Sequence, residues 1–170
     1  HMVDVADARP FITVRSEVGP QAMADFRGQL AVSERPLMIV GGAGWSEKAC
    51  ADIQAFAEAN AVPVAASFRC QDMFDNMHAN YAGELGTSAS PKLTARLKKA
   101  DLLIVVGSRL GEMTTGGYSL VSLPVPQQKL VHVYMDAAEL GRVYEPDVAI
   151  VASMESFAGA AKDIEATSPD

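Results

Sequence analysis

Residues 101–107 have the sequence Asp-Leu-Leu-Ile-Val-Val-Gly, and this stretch decides the fold. Consecutive apolar residues between an acid and a glycine are typical of a strand buried on both faces of a parallel sheet. A similar run, residues 37–40, also ends in glycines, and another covers residues 62–66. The same reasoning predicts two further strands, over residues 130–135 and 148–151.

Helical patterns separate these strands. Each pattern consists of apolar residues at helical spacing that follow a capping serine or a first-turn proline. These patterns predict helices that begin at Pro20, Ser46, Pro91 and Ser153, the last of which extends to about Ala166. Such alternation predicts an α/β fold: a doubly wound, mostly parallel five- to six-stranded sheet with helices on both faces, of Rossmann-like type. Unpatterned residues 68–90 and 108–126 are expected to form long loops.

Composition and charge exclude several classes of partner. The 170 residues fit one domain, and the net charge of −7 disfavours nucleic acid and anionic membranes. No apolar run approaches the ~18–20 residues that a membrane helix needs. Cys50 and Cys70 have no CxxC partner, so we expect reduced thiols and a cytoplasmic location.

The first 18 residues differ from the rest of the chain because they lack periodicity. His1–Met2 resembles a cloning remnant, and residues 3–18 resemble an interdomain linker or an extended arm. We therefore predict a tag remnant and linker over residues 1–18, a folded domain over 19–166 and a tail over 167–170. The chain is accordingly expected to be the excised middle of a longer protein.

Ligands of doubly wound sheets bind beyond the carboxyl ends of the strands, where this chain has glycine-rich turns. The candidate binding residues at these ends are Gly41, Gly42, Gly44, Gly107, Ser108, Arg109 and Asp136. An ordinary NAD site is not expected, because Glu47 replaces the third glycine of the fingerprint and Ser67 ends the second strand. Two interpretations of the first turn stay open: a plain strand-to-helix connection, or amides that bind a diphosphate.

The charged candidates also have two interpretations each. Arg109 is suited either to bind a phosphate or carboxylate or to pair with Glu112 or Asp136. Asp136 is suited either to accept a hydrogen bond from a ribose or to cap the following turn. His132 alternates within an apolar strand, which favours a core histidine. Since neither a Ser-His-Asp or Cys-His set nor a metal-ligand spacing is recognisable, we predict no catalytic residue and no metal ligand.

Five segments, taken together in order and spacing, resemble one protein family. They are Arg35–Gly44, Val62–Ser67, Tyr81–Gly86, Ala100–Leu110 and Val131–Gly141. This order resembles the central domain of thiamine diphosphate (TPP)-dependent enzymes of the acetolactate synthase and pyruvate decarboxylase type. The resemblance covers roughly residues 19–166.

The resemblance implies a scaffold role within a larger enzyme. It implies a fold like that of deoxyhypusine synthase, flanked by pyrimidine-binding and diphosphate-binding domains that hold thiamine diphosphate and Mg²⁺ in a homo-oligomer. The parent enzyme would be a carboligase or 2-oxo acid decarboxylase, a transferase or lyase. The Gly-Asp-Gly and downstream Asn that hold Mg²⁺ and diphosphate in the family are absent from this chain. We therefore expect the isolated domain to be catalytically inactive.

The resemblance also raises the question of FAD. In acetolactate synthases this domain holds the flavin, and four candidate residues match the positions that contribute to it: Gly42, Gly107, Arg109 and Asp136. However, Leu110–Met113 replaces the Phe-Asp-Asp-Arg of flavin-binding members, which removes a basic residue and leaves an acid, Glu112, near the position of a diphosphate. This departure disfavours FAD. The alternative from another class is a free-standing FAD- or nucleotide-binding module of the same fold.

Overall fold

The apolar run 102–106 forms a central strand of a parallel sheet in the computed structural model, which describes residues 2–12 and 14–165. Within these residues there are six strands in the order β3-β2-β1-β4-β5-β6, all parallel. The strands are β1 (Pro36–Val40), β2 (Val64–Ala66), β3 (Tyr81–Glu84), β4 (Leu102–Val106), β5 (Lys129–Tyr134) and β6 (Val148–Val151). The order reverses between β1 and β4, so their carboxyl ends form the switch point of the sheet.

The described residues form four α-helices: α1 (Pro20–Ala31), α2 (Glu47–Ala59), α3 (Pro91–Lys99) and α4 (Met154–Ala161). Of these, α2 and α3 connect strands, whereas α1 precedes β1 and α4 follows β6. Three begin at a serine that caps the helix with its hydroxyl. Ser46 accepts a hydrogen bond from the Ala49 amide, and Ser90 and Ser153 do the same in α3 and α4, each at 3.2 Å. The helix starts predicted at Pro20, Ser46, Pro91 and Ser153 are therefore confirmed.

The sheet separates two apolar cores. On one face α1, α2 and α4 pack against the sheet; their buried side chains include Phe26, Ile53 and Phe157. On the other face α3 is joined by the loop 108–126, which contributes Leu110 and Val121. Helices on both faces confirm the predicted fold class, and one of the two predicted long loops completes the second core.

One strand was not predicted. Residues 81–84 were expected to lie in a loop, but Tyr81–Glu84 form β3 at the edge of the sheet beside β2. All four residues are only partly buried, and Gly83 has a φ of +114° next to a register shift between Val64 and Ala65. A short, half-exposed edge strand with a bulge needs no apolar run, so periodicity gives no signal for it.

The segment before α1 forms neither helix nor strand over residues 2–12 and 14–19. Its last part is attached to α4: the Ser153 amide donates to the Ser16 carbonyl at 2.8 Å, and the Val18 amide donates to Ser156 Oγ at 2.8 Å. Arg15 also forms an ion pair with Glu155. The last helix ends at Ala161 rather than near Ala166, and the predicted tail over 167–170 lies outside the described residues.

Asp101 joins the start of β4 to the turn before β1. Its carboxylate accepts hydrogen bonds from Ser33 Oγ at 2.5 Å and from the amides of Glu34 and Arg35 at 3.0 Å. Burial alone would raise the pKa of Asp101, but these hydrogen bonds outweigh it and lower the pKa below its ordinary value. The carboxylate is therefore stabilised in its charged form.

We expect Asp101→Asn to lower the free energy of unfolding by about 1–2 kcal/mol at pH 7, because charge-assisted hydrogen bonds are replaced by weaker neutral ones. Since the pKa is lower in the folded state, the stabilisation is complete above the unfolded pKa and is lost as the pH falls through the folded pKa. Urea denaturation at pH 7 and at about pH 3 should show the difference between wild type and variant shrinking in acid. Asp7→Asn, at an exposed position, is the control; an equal effect there would contradict the prediction.

Candidate functional site

The seven candidate residues lie together at the carboxyl edge of the sheet. Gly41, Gly42 and Gly44 follow β1, residues 107–109 follow β4, and Asp136 follows β5. These three strands are neighbours in the sheet, in the order β1-β4-β5, so their connections meet at the switch point. The structure thus brings together all the candidates that sequence reasoning selected.

The turns after β1 and β4 are in direct main-chain contact. Gly42 has a φ of +78°, and a Cβ added there would overlap the carbonyl oxygen of Gly107. Gly107 has a φ of +75°, and a Cβ there would overlap the carbonyl oxygen of Gly41 and lie 2.7 Å from Met154 Sδ. Both positions need glycine for conformation and for space. The room that the missing Cβ atoms leave is filled by the protein's own main chain.

Trp45 covers this contact from one side. Its indole Nε1 donates a hydrogen bond to the Gly41 carbonyl at 2.8 Å, and it would lie 3.2 Å from a Cβ on Gly107. Gly44 (φ +84°) lies beneath Met135, whose Sδ would be 3.0 Å from an added Cβ. Sequence reasoning did not select Trp45, although the chain's only tryptophan directly after a glycine turn was a usable signal.

Arg109 lies at the carboxyl edge as predicted, but it is engaged within the chain. Its Nε donates to the Tyr134 hydroxyl at 2.9 Å and lies 3.5 Å from Glu139 Oε2. The hydrogen bond with Tyr134 and the charge of Glu139 raise the pKa of Arg109. The ion pair that was one interpretation of Arg109 is formed with Glu139 rather than with Glu112 or Asp136. Glu139 also lies 3.5 Å from Arg142 Nη1.

Asp136 caps the turn that follows β5. Its Oδ1 accepts a hydrogen bond from the Ala138 amide at 2.9 Å, and its carbonyl accepts one from the Glu139 amide at 3.1 Å. This is the capping geometry that was one of its two interpretations. The cap also holds Glu139 close to Arg109, which sequence spacing alone did not indicate.

Ser108 and His132 form a buried pair beneath Arg109. The His132 Nε2 donates to the Ser108 carbonyl at 2.8 Å, and both side chains are buried. Burial lowers the pKa of His132 despite the opposing effect of that hydrogen bond, so the imidazole is neutral at neutral pH. The expectation of a core histidine is confirmed, and a neutral, enclosed ring has no access to a substrate.

Two clefts flank the segment 43–46. One, of about 520 Å³, is lined by Cys50, Asp72 and Met73; the other, of about 450 Å³, lies between Trp45 and the extended segment at Val14–Ser16. Burial, followed by the charge of Asp72, raises the pKa of the Cys50 thiol, which keeps it protonated and a poor nucleophile. Cys50 and Cys70 are both free thiols, as predicted.

Two further features concern metal ligands and hydrophobic helices. Over residues 2–12 and 14–165 no group of three or more His, Cys, Asp or Glu side chains is arranged to hold a metal ion. In the same part of the chain no helix has the length and hydrophobicity needed to cross a membrane.

Comparison with known proteins gives a consistent result. The family described as "Thiamine pyrophosphate enzyme, central domain" matches residues 24–160. The acetolactate synthase large subunit of Corynebacterium glutamicum is 28% identical over 149 residues, covering 88% of this chain and 23% of the relative. The isozyme 1 large subunit of acetolactate synthase from Escherichia coli is 29% identical over 135 residues, covering 79% of this chain and 23% of the relative.

The fold comparison agrees. Benzoylformate decarboxylase from Polynucleobacter necessarius has a TM-score of 0.72 at 19% identity, covering 99% of this chain and 31% of that structure. At this identity the likeness concerns the fold alone. The chain spans about a quarter of the length of the curated relatives described above. With the family match extending over most of the chain, the protein belongs to the thiamine pyrophosphate enzyme central-domain family.

Proposed function

We propose that this domain braces the cofactor-binding domains of a thiamine diphosphate-dependent carboligase or 2-oxo acid decarboxylase and does not catalyse a reaction alone. The family membership and the acetolactate synthase relatives support the enzyme class. In this proposal thiamine diphosphate and Mg²⁺ are bound by a pyrimidine-binding and a diphosphate-binding domain outside this chain. The whole enzyme would be a cytoplasmic homo-oligomer, with residues 1–18 as linker and 19–166 as the domain.

The observation that supports a bracing role most directly is the main-chain contact between the turns after β1 and β4. Gly42 and Gly107 contact each other through main-chain atoms, and Trp45 covers the contact. The one cation among the candidate residues, Arg109, is already matched by Glu139. A diphosphate bound to Arg109 would compete with the Glu139 carboxylate, which lies 3.5 Å from the guanidinium Nε.

FAD is therefore not part of this proposal, since Leu110–Met113 also lacks the basic residue that the resemblance leads one to expect in flavin-binding members. The candidate set Gly41, Gly42, Gly44, Gly107, Ser108, Arg109 and Asp136 then acts as a packed set of turns rather than as a flavin site. The alternative of a free-standing flavin or nucleotide module is not favoured by the family match. Bracing needs rigid, well-packed turns, and this is the property that the contact between the two turns provides.

A flavin titration tests this proposal. We expect the 170-residue chain to show neither quenching of FAD fluorescence nor a shift of its thermal unfolding midpoint below about 100 μM FAD. Calorimetry with thiamine diphosphate and Mg²⁺ should likewise show no binding, and pyruvate should not be consumed. Saturable micromolar FAD binding that is lost in Arg109→Ala and kept in Arg27→Ala, an exposed arginine of α1, would overturn the proposal.

A further inference from the structure

A groove of about 560 Å³ lies at the edge of the sheet opposite the candidate site, where the strands begin. Its walls are the turn entering β1 at residues 34–36, the turn entering β2 at residues 61–63, and the exposed face of α3. The volume falls within the range of about 300–1,000 Å³ that is typical of small-molecule sites. None of the seven candidate residues contributes to it.

The groove concentrates positive charge in a chain whose net charge is −7. Its charged lining residues are Arg35, Lys92, Arg96, Lys99 and a single acid, Glu34. Glu34 is already paired with Arg35 Nη1 at 3.2 Å, and Arg35 Nε donates to the Lys99 carbonyl at 2.9 Å. Within residues 2–12 and 14–165 the side chains of Lys92, Arg96 and Lys99 form no ion pair. The groove therefore has three cations available for an anion.

The helix dipole accounts for only two of the three groove cations on α3. Arg96 and Lys99 lie in the last turn of α3, where a cation is stabilised by the dipole. Lys92 lies in the first turn, where the dipole opposes a cation. The spacing of the three residues places them on one face of the helix, where like charges repel. An anion bound between them would relieve this repulsion.

The uncharged residues that line the groove are all apolar. They are Pro36, Ala61, Pro63 and Ala95. Rigid proline rings and alanine methyls suit a flat apolar group, whereas Lys and Arg suit phosphate oxygens. We propose that this groove binds a small phosphorylated molecule with a flat apolar moiety, of the nucleoside diphosphate class, with its phosphates on Lys92, Arg96 and Lys99.

Calorimetry with the full 170-residue chain at low ionic strength tests the proposal, with ADP and inorganic pyrophosphate as probes. We expect saturable binding of both. ADP should bind more tightly, because its base contacts the apolar residues that line the groove. The variant Lys92→Gln/Arg96→Gln should bind ADP at least about tenfold more weakly, since it loses two charge-assisted contacts. Raising the salt concentration should weaken binding to the wild type.

The matched control is Arg27→Gln/Lys98→Gln, which removes the same charge from exposed positions of α1 and α3 outside the groove. It should bind ADP like the wild type, and both variants should keep the unfolding midpoint of the wild type. Absence of saturable binding, or equal weakening in both variants, would overturn the proposal. ADP binding that survives Lys92→Gln/Arg96→Gln but is lost in Arg109→Ala would also overturn it, because that result assigns the nucleotide to the carboxyl edge.

Discussion

Replacing Gly42 with alanine is expected to lower the free energy of unfolding by about 2–5 kcal/mol, out of the 5–15 kcal/mol typical of a domain. Two effects add. The φ of +78° strains any residue with a Cβ, and the new methyl overlaps the carbonyl oxygen of Gly107, which belongs to the main chain and has no rotamer to change. Urea denaturation followed by circular dichroism at pH 7 measures the loss.

Gly117→Ala separates the two effects. Gly117 has a comparable φ of +67°, but nothing lies within 4 Å of a Cβ placed there. This variant should lose only the conformational part, about 1–2 kcal/mol. If the two variants lose the same free energy of unfolding, the contact between Gly42 and Gly107 contributes nothing to stability, and these turns do not brace the carboxyl edge.

Phe26→Ala is expected to have an effect of similar size, about 3–5 kcal/mol, for a different reason. Phe26 is 0% exposed, and its ring centroid lies 5.7 Å from that of Phe56 on α2 and 5.4 Å from that of Phe157 on α4. Removing the ring leaves a cavity between three helices, none of which can close it without leaving the sheet. Chemical denaturation should show a lower midpoint with little change in slope.

Phe11→Ala is the matched control for this prediction. The same atoms are deleted, but Phe11 is 86% exposed in the extended segment before α1. Its loss should change the free energy of unfolding by no more than about 0.5 kcal/mol. A large effect at Phe11 would mean that the extended segment is packed in solution, contrary to the exposure described above.

Sequence reasoning identified the fold wherever burial on both faces imposes a pattern. The run 102–106 became β4, and the predicted strands over residues 37–40 and 130–135 also formed, as β1 and β5. It failed at Tyr81–Glu84, because an edge strand pairs on one side only and tolerates a glycine and a bulge. β3 is positioned by its backbone hydrogen bonds to β2, and such bonds do not require a pattern of apolar side chains that sequence reasoning could detect.

The candidate site shows the same division. Its position followed from topology, since the turns after neighbouring parallel strands must meet. The contacts within the site could not be predicted from topology, because Gly42 with Gly107 and Arg109 with Glu139 join segments far apart in the sequence. Glu139 lies in the turn that Asp136 caps after β5, 30 residues along the chain from Arg109. Such contacts require the geometry of the fold as well as the order of residues.

The contact between Gly42 and Gly107 also constrains how this sequence can diverge. At each position the obstructing atom is a carbonyl oxygen of the other turn, so no side-chain replacement elsewhere compensates for a Cβ. The two glycines must therefore persist together in any descendant that keeps these turns. The neighbouring pair of Arg109 and Glu139 has no such restriction, since side chains on both partners can be exchanged in steps. Descendants with new ligand preferences should therefore differ at neighbouring side chains such as Arg109 and Glu139, and should keep Gly42 and Gly107.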